Sequence, residues 1–203
     1  MTMRSRHRHP RLLLVCGVAM SAVVLVGATG CSDDAEDSTS VTTVAAVAHN
    51  DADIAFTQSM ISHHQEAIDM SDAVIARGIT PQVRSLAQRI KAAQDPEMRV
   101  MTAWLDDWGV PAAEPATSDG EHSMSGMMTT TQQDEFDAAS GLTLDRLFLE
   151  LMIAHHTGAV SMADEQIPAG LSSEAIALAK DIKAAQELES KEMQILLANL
   201  PAS

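Results

Sequence analysis

The feature that most constrains the fold of this 203-residue chain is an internal repeat with a constant offset of 92 residues. Residues 56–70 align with residues 148–162, and seven of these positions are identical in the two copies. The same offset aligns 90–94 with 182–186, which are identical throughout. Because one offset serves two separate segments without a gap, the repeated unit contains both of them.

Each copy has the apolar spacing of two amphipathic helices. In the first copy these are predicted over residues 51–77 and 81–108, with Gly78 and Gly109 as C-terminal stops, Thr80 as a cap and Pro81 at the first helical position. Pro96 should bend the second of them. In the second copy, helices are predicted from Thr143 to a stop at 168–170, and from 172 or 173 to just before 201.

Two helices joined by a short turn form a hairpin that has one exposed apolar face. Two such hairpins bury these faces by pairing, so the sequence predicts an all-α four-helix bundle over residues 51–203. Repeat one is 51–108, the connection is 109–142 with a short helical turn at 133–140, and repeat two is 143–200. We expect the first helix of each repeat to be related by a pseudo-twofold axis.

The N-terminal 30 residues have the pattern of a secretory signal. A basic start is followed by an apolar run that is too short for a stable membrane span, and then by small residues before Cys31. This favours a lipoprotein signal peptide over residues 1–30, with Cys31 lipidated and the protein anchored to the outer face of the cell membrane. Ala28 stands where such signals usually have Leu, and ordinary cleavage to a soluble exported protein is the alternative. Residues 31–50 are predicted to be a flexible tether.

Charge and composition exclude several kinds of function. Without residues 1–30 the chain keeps 9 of its 13 basic residues and all 28 acidic ones, a net charge of −19, so a nucleic-acid surface is not expected. One of the two cysteines, Cys16, lies in the signal, which excludes an intramolecular disulfide in the exported part. The sequence identifies no protein partner.

A Met-x-x-His-His cluster occurs once in each repeat. Met60 precedes His63 and His64 by three and four residues, both neighbouring separations on a helix, so a thioether and two imidazoles can converge. Met152, His155 and His156 repeat the arrangement. Imidazole binds copper, zinc, iron and nickel, whereas thioether selects soft ions, chiefly Cu(I). The mixture predicts a copper site, with zinc or iron as the other possibilities.

Further candidate ligands extend this site. Met70 and Met162 continue the soft lining along their helices, and Glu97 and Glu189 occupy matching positions on the second helices of the repeats. The connection holds another group of His and Met residues that has little reason to exist for packing: His122, Met124, Met127 and Met128. The alternative interpretation of these residues is structural. Met on the apolar face of a helix is most often core filler, and a single His that points inward is more often hydrogen-bonded than metal-bound.

The pattern Phe-x-x-x-Met-x-x-His-His-x-x-Ala-x-x-Met, present at 56–70 and again at 148–162, resembles the bacterial family called domain of unknown function 305. The resemblance covers about residues 50–200. It implies a ferritin-like four-helix bundle and, for some members, copper binding and copper resistance outside the cytoplasm. The family's ligand positions would correspond to six residues here: Met60, His63, His64, Met152, His155 and His156. Gly158 stands where the first copy has Glu66, and Leu188 stands where it has Pro96, so the two copies need not ligate identically.

The sequence therefore predicts an exported metal-binding protein that binds, sequesters or delivers copper. One alternative is a ferritin-like metal-dependent redox enzyme, although Met60 and Met152 replace the Glu that di-iron bundles place three residues before His. No acid, base or nucleophile arrangement indicates catalysis, so an enzyme is the less favoured interpretation. The other alternative is a cell-envelope module without metal, in which the His pairs form a pH-sensitive interface.

Overall fold

A computed structural model describes residues 48–112 and 125–201 of the chain. It contains five helices, which follow one another in the order α1 (Asp51–Arg77), α2 (Pro81–Trp108), α3 (Thr130–Ala138), α4 (Gly141–Ala169) and α5 (Ser173–Asn199). The predicted signal peptide, Cys31, nearly all of the tether, His122 and Met124 lie outside the described residues. None of the helices within the described ranges is both long and apolar enough to span a bilayer.

The helix ends follow from local sequence. Asn50 and Asp53 form a capping box at the start of α1, with each side chain accepting a hydrogen bond from the other residue's backbone N–H at 3.0 and 2.9 Å. Gly109 ends α2 in a left-handed conformation at φ +69°, which a glycine adopts without the steric cost of a Cβ atom. Backbone hydrogen bonds from Gly109 to Asp106 and from Val110 to Leu105 complete a Schellman motif. The predicted bounds of α1 and α2 are therefore confirmed.

Three local predictions need correction. Thr80 is at the N-cap of α2, but its side chain makes no capping hydrogen bond. The short turn predicted at 133–140 is a helix that begins earlier, at Thr130, because Thr129 and Gln132 form a capping box. Helix α4 begins at Gly141 instead of Thr143, with Ser140 as the extended N-cap residue and Gly141 at φ +61°.

The two hairpins, α1–α2 and α4–α5, pair mainly through α1 and α4. Asp53, near the start of α1, accepts hydrogen bonds from the backbone N–H groups of Leu171 and Ser172, which follow α4. Asp145, near the start of α4, accepts them from Ile79 and Thr80, which follow α1. The same 92-residue offset relates these two sets of contacts, so α1 and α4 are antiparallel and the predicted pseudo-twofold relation is present.

Buried hydrophobic residues form two clusters at different levels of the bundle. One includes Met70, Phe148 and Met152, and the other includes Phe56, Met60 and Ala159, with further members from α2 and α5 in both. Along α1 and along α4, the sequence passes from one cluster to the other at the His-His pair. His63, His64, His155 and His156 are at most 1% exposed and form a polar layer between the clusters, called here the histidine layer.

Candidate metal centre

The centre of the histidine layer is a contact between the two repeats. The rings of His63 and His155, equivalent residues of α1 and α4, have their centroids 3.6 Å apart at an interplanar angle of 33°. His156 is adjacent, with its ring centroid 6.3 Å from that of His155. Antiparallel packing of α1 against α4 creates this arrangement, because it brings the middle of each helix to the same point. The two Met-x-x-His-His clusters therefore meet in one region.

Most ring nitrogens of the layer are buried without a hydrogen-bond partner among the described residues. This holds for Nδ1 of all four histidines and also for Nε2 of His155. A buried polar atom without a partner is costly, of the order of 1–3 kcal/mol. Such atoms in native proteins call for an explanation, and a ligand is one of the ordinary ones. Neutral imidazole nitrogens with free lone pairs are the donors that a transition metal needs.

Burial keeps the central rings neutral. It lowers the pKa of His63 to about 3, and repulsion from His64 and His156 acts in the same direction, while the Ser125 carbonyl raises it. Burial also lowers the pKa of His155 well below the usual histidine value. Protons therefore compete weakly for these nitrogens at neutral pH, which suits metal coordination.

The other two histidines are each held by a glutamate. Nε2 of His64 is 2.8 Å from Oε2 of Glu97 in α2, and Nε2 of His156 is 2.7 Å from Oε2 of Glu189 in α5. In the neutral tautomer that donates its Nε2–H to the carboxylate, Nδ1 of the same ring is an acceptor. Histidines that ligate metals are commonly oriented in this way by a carboxylate. The structure thus brings Glu97 and Glu189 to the layer as partners of histidine.

The two thioethers approach the layer from opposite sides. Met60 and Met152 are completely buried, and each lies one helical turn before the His-His pair of its own helix. Met60 belongs to the cluster of Phe56, whereas Met152 belongs to the cluster of Phe148. One thioether is therefore present in each of the two apolar clusters that flank the His63–His155 pair.

Met70 and Met162 lie farther from the histidines of their own helices. Each is six residues beyond its His-His pair, or about 9 Å along the helix axis. Met70 is buried in the cluster that contains Met152, and the partly buried Met162 packs on the cluster that contains Met60. Each of them is thus associated with the cluster that contains the nearer thioether of the other repeat. Over residues 48–112 and 125–201, no group of three or more His, Cys, Asp or Glu side chains is arranged to hold a metal.

Residues 125–128 of the connection pass over the layer and are called the strap. The Ser125 carbonyl oxygen is 3.3 Å from Nε2 of His63, and Glu66 accepts a hydrogen bond from the Met128 N–H at 2.8 Å. A Cβ atom at Gly158 would overlap the Ser125 carbonyl, and one at Gly126 would lie 2.6 Å from a backbone oxygen of α4. The strap therefore touches helix backbone directly.

The strap explains a difference between the repeats that is visible in the sequence but that the sequence alone does not explain. Glu66 anchors the strap on α1, and its repeat mate Gly158 gives the strap room on α4. Burial raises the pKa of Glu66, and the Met128 N–H acts against that rise. Sequence reasoning also missed Asp53 and Asp145. Their signal was present, because both are acidic residues at matching repeat positions near the starts of their helices.

A family model described as domain of unknown function (DUF305) matches residues 53–197 of the chain. A search of curated proteins gives no match. Among solved structures, a DUF305 fragment from Deinococcus radiodurans is 32% identical, with a TM-score of 0.69 and coverage of 74% of this chain and 98% of that one. A DUF305 protein from Streptomyces coelicolor, described as a candidate secreted protein, is 33% identical, with a TM-score of 0.68 and coverage of 75% and 95%.

A third similar structure is the protein CopM in a Cu(II)-bound form. It is 31% identical, with a TM-score of 0.63 and coverage of 72% of this chain and 96% of that chain. Forms of CopM with bound Cu(I) and with bound Ag are 28% identical and have TM-scores of 0.62. The match over residues 53–197 includes both His-His pairs and both hairpins. The chain described here therefore belongs to the DUF305 family.

Proposed function

We propose that this protein binds copper in the histidine layer, outside the cytoplasm, and thereby sequesters or delivers it. The observation that carries the proposal is the contact of His63 with His155, whose rings lie 3.6 Å apart with three of their four ring nitrogens lacking a partner in the described chain. With Met60 and Met152 on either side, the layer offers both imidazole and thioether ligands. That mixture favours copper over zinc or iron.

The ligand set that we propose has an inner and an outer part. His63, His155, Met60 and Met152 are the inner ligands, and Nδ1 of His64 and of His156 can complete the set. Glu97 and Glu189 orient the latter two histidines. Met70 and Met162 line the space behind the nearer thioethers and are the outermost candidates.

Copper binding in CopM supports the choice of metal. CopM has Cu(I)-, Cu(II)- and Ag-bound forms, and Ag(I) resembles Cu(I) in its preference for soft ligands. The candidate secreted relative supports export, as does the N-terminal signal pattern. We propose lipidation of Cys31 as the means of anchoring the protein to the outer face of the cell membrane.

The rival functions fit the layer less well. A redox enzyme of the di-iron type needs carboxylates that bridge metals, whereas Glu97 and Glu189 each hydrogen-bond a histidine. A pH-sensitive interface needs histidines that titrate between about pH 5 and 8. Burial lowers the pKa of His63 to about 3, so this ring stays neutral through that range.

Competition titration of the purified protein against chelators of Cu(I), Cu(II) and Zn(II) tests the proposal. We expect His63→Ala/His155→Ala to remove one equivalent of tightly bound copper. The matched control is His49→Ala, because His49 stacks on Trp108 at a ring distance of 4.6 Å and is not part of the layer. Equal copper affinity in the double variant and the control would contradict the proposal.

The thioethers need a separate test. Met60→Leu/Met152→Leu nearly preserves side-chain volume, so the fold should be retained. We expect this variant to lose affinity for Cu(I) more than for Zn(II), because only the soft ion depends on sulfur. An equal effect on both metals would show that the thioethers serve packing alone.

A further inference from the structure

A cleft on one side of the bundle gathers methionine side chains outside the histidine layer. Its volume is about 540 Å³, and it is lined by Met70 from α1, Met98 from α2, and Met127 and Met128 from the strap. These four of the chain's 13 methionines come from three separate segments. The methionine cleft, as we call it, is therefore built by the tertiary structure and not by one helix stripe.

Core packing accounts for these methionines only in part, because Met70 belongs to one apolar cluster, Met128 packs on it and Met98 packs on the other. Met70 is buried, but Met98, Met127 and Met128 are partly exposed to solvent along the cleft. An apolar side chain gains less from a position that leaves part of it in water than from full burial. Thioethers gathered around an open space instead resemble a surface prepared for a ligand that prefers sulfur.

Duplication accounts for Met70, whose repeat mate is Met162, but not for the other three methionines. The repeat mate of Met98 is Ser190, and the strap has no counterpart in the other half. The hollow beside Met162, the repeat mate of Met70, measures about 270 Å³ and is lined by no second methionine among the described residues. The gathering of sulfur is thus specific to one face of the bundle.

Carboxylates accompany the sulfur atoms. Glu66, Asp69 and Asp137 also line the cleft. Asp69 and Glu66 correspond to Ser161 and Gly158 in the second repeat, so their negative charge is specific to the same face. Carboxylates around a concave site raise the local concentration of cations. Sulfur ligands together with negative charge select a soft cation over a neutral apolar ligand.

We propose that the methionine cleft is a second binding site, separate from the histidine layer, for a soft monovalent cation such as Cu(I) or Ag(I). The site is accessible, whereas the histidine layer is buried. Glu66 follows His64 by two residues and holds the strap, so the cleft lies against the outer side of the layer. The cleft therefore suits the first capture of the ion. This inference rests on the proposed function only for the preference for soft metals.

Silver nitrate in chloride-free buffer is the probe, because Ag(I) does not change its oxidation state. The test variant is Met98→Leu/Met127→Leu/Met128→Leu, which preserves apolar volume and removes sulfur. Met101→Leu/Met193→Leu is the control, since both of these methionines are completely buried and neither lines the cleft. Isothermal titration calorimetry and NMR spectra of ¹³C-methyl-labelled methionine give the stoichiometry and the residues affected.

We expect the triple variant to bind one equivalent of Ag(I) fewer than the wild type, and the control to bind as many. We also expect silver to shift the methyl signals of Met98, Met127 and Met128 in the His63→Ala/His155→Ala variant. A triple variant with unchanged stoichiometry and affinity would overturn the inference. So would loss of those methyl shifts in the histidine variant, because the two sites would then be one.

The two proposals fail in different ways. If the histidine variant binds Ag(I) and Cu(I) as the wild type does, the histidine layer is not a metal site, and the cleft is judged by its own methyl shifts. If the triple variant alone is unchanged, the cleft is not a site, and the histidine layer is unaffected.

Discussion

Acidification from about pH 7.5 to about pH 5 is expected to destabilise the metal-free protein through its buried imidazoles. Burial lowers the pKa of folded His63 to about 3, from the ordinary value of 6.5 that applies to the unfolded chain. Below pH 6.5 the unfolded chain takes up a proton that the folded protein does not. The stability associated with neutral His63 is therefore complete above pH 6.5 and is lost as the pH falls toward 3.

The magnitude follows from the difference between pH and the unfolded pKa. At about pH 5 the unfolded imidazole is about 1.5 pH units below its pKa, which corresponds to a loss of about 2 kcal/mol from His63 alone. His155 adds to this loss, because burial lowers its pKa in the same direction. Asp53 does not interfere. Burial would raise its pKa, but its hydrogen bonds lower it below 3.8 overall, so its contribution is lost only under more acidic conditions.

Guanidinium unfolding curves in the presence of a metal chelator measure this effect. Relative to His63→Leu/His155→Leu, the wild type should lose at least about 2 kcal/mol more unfolding free energy between the two pH values. The opposing effect of Glu66, whose pKa burial raises, is common to both proteins. His63→Leu/His155→Leu should lose much less, while His49→Leu should behave as the wild type. An equal loss in the wild type and the double leucine variant would refute the reasoning, because the histidine layer would then not be the group that titrates.

Three further predictions test the contacts around the layer. Gly158→Ala places a Cβ atom against the strap and should cost about 1–3 kcal/mol, with faster amide exchange at residues 125–128; unchanged exchange would contradict the close contact. Asp145→Ala removes two hydrogen bonds to a carboxylate and should cost about 3 kcal/mol of unfolding free energy, measured with urea. Asp53→Ala should cost more, because Asp53 also accepts a hydrogen bond from Gln166. A smaller effect at Asp53 than at Asp145 would contradict this order. Glu97→Gln/Glu189→Gln should weaken copper binding by about 10- to 100-fold without unfolding the protein, as chelator competition and circular dichroism would show; unchanged affinity would mean that these carboxylates do not orient the histidines.

The helices could be predicted because their signals are local. Gly78, Pro81 and Gly109 mark the ends of α1 and α2 by their own conformational preferences, and the predicted bounds agree with the structure. The start of α4 was predicted less accurately. The helix begins at Gly141 and not at the predicted Thr143, because Ser140 adopts the extended conformation of an N-cap.

The members of the candidate site could be predicted, but their meeting could not. The repeat places one His-His pair on α1 and one on α4, and nothing local determines how these two helices cross. Asp53 and Asp145 tie each helix to the turn that follows the other, and so contribute to setting the crossing point at His63 and His155. Those contacts join residues that are 65 to 119 positions apart in the chain.

The role of the connection required the structure as well. Met127 and Met128 stood out in the sequence as methionines without a packing role. Their approach to Met98 depends on the path of the strap, which Glu66 and the absence of a side chain at Gly158 together determine. The replacement of Glu66 by Gly158 was visible as a difference between the repeats, and its cause is steric.

Anomalous diffraction at the copper edge, from crystals of the Cu(I)-loaded protein, tests the central claim most directly. We predict a copper peak in the histidine layer, bound by nitrogen atoms of His63 and His155 and by sulfur of Met60 or Met152. Copper found only outside the layer, with the His63 and His155 ring centroids still 3.6 Å apart, would contradict the account.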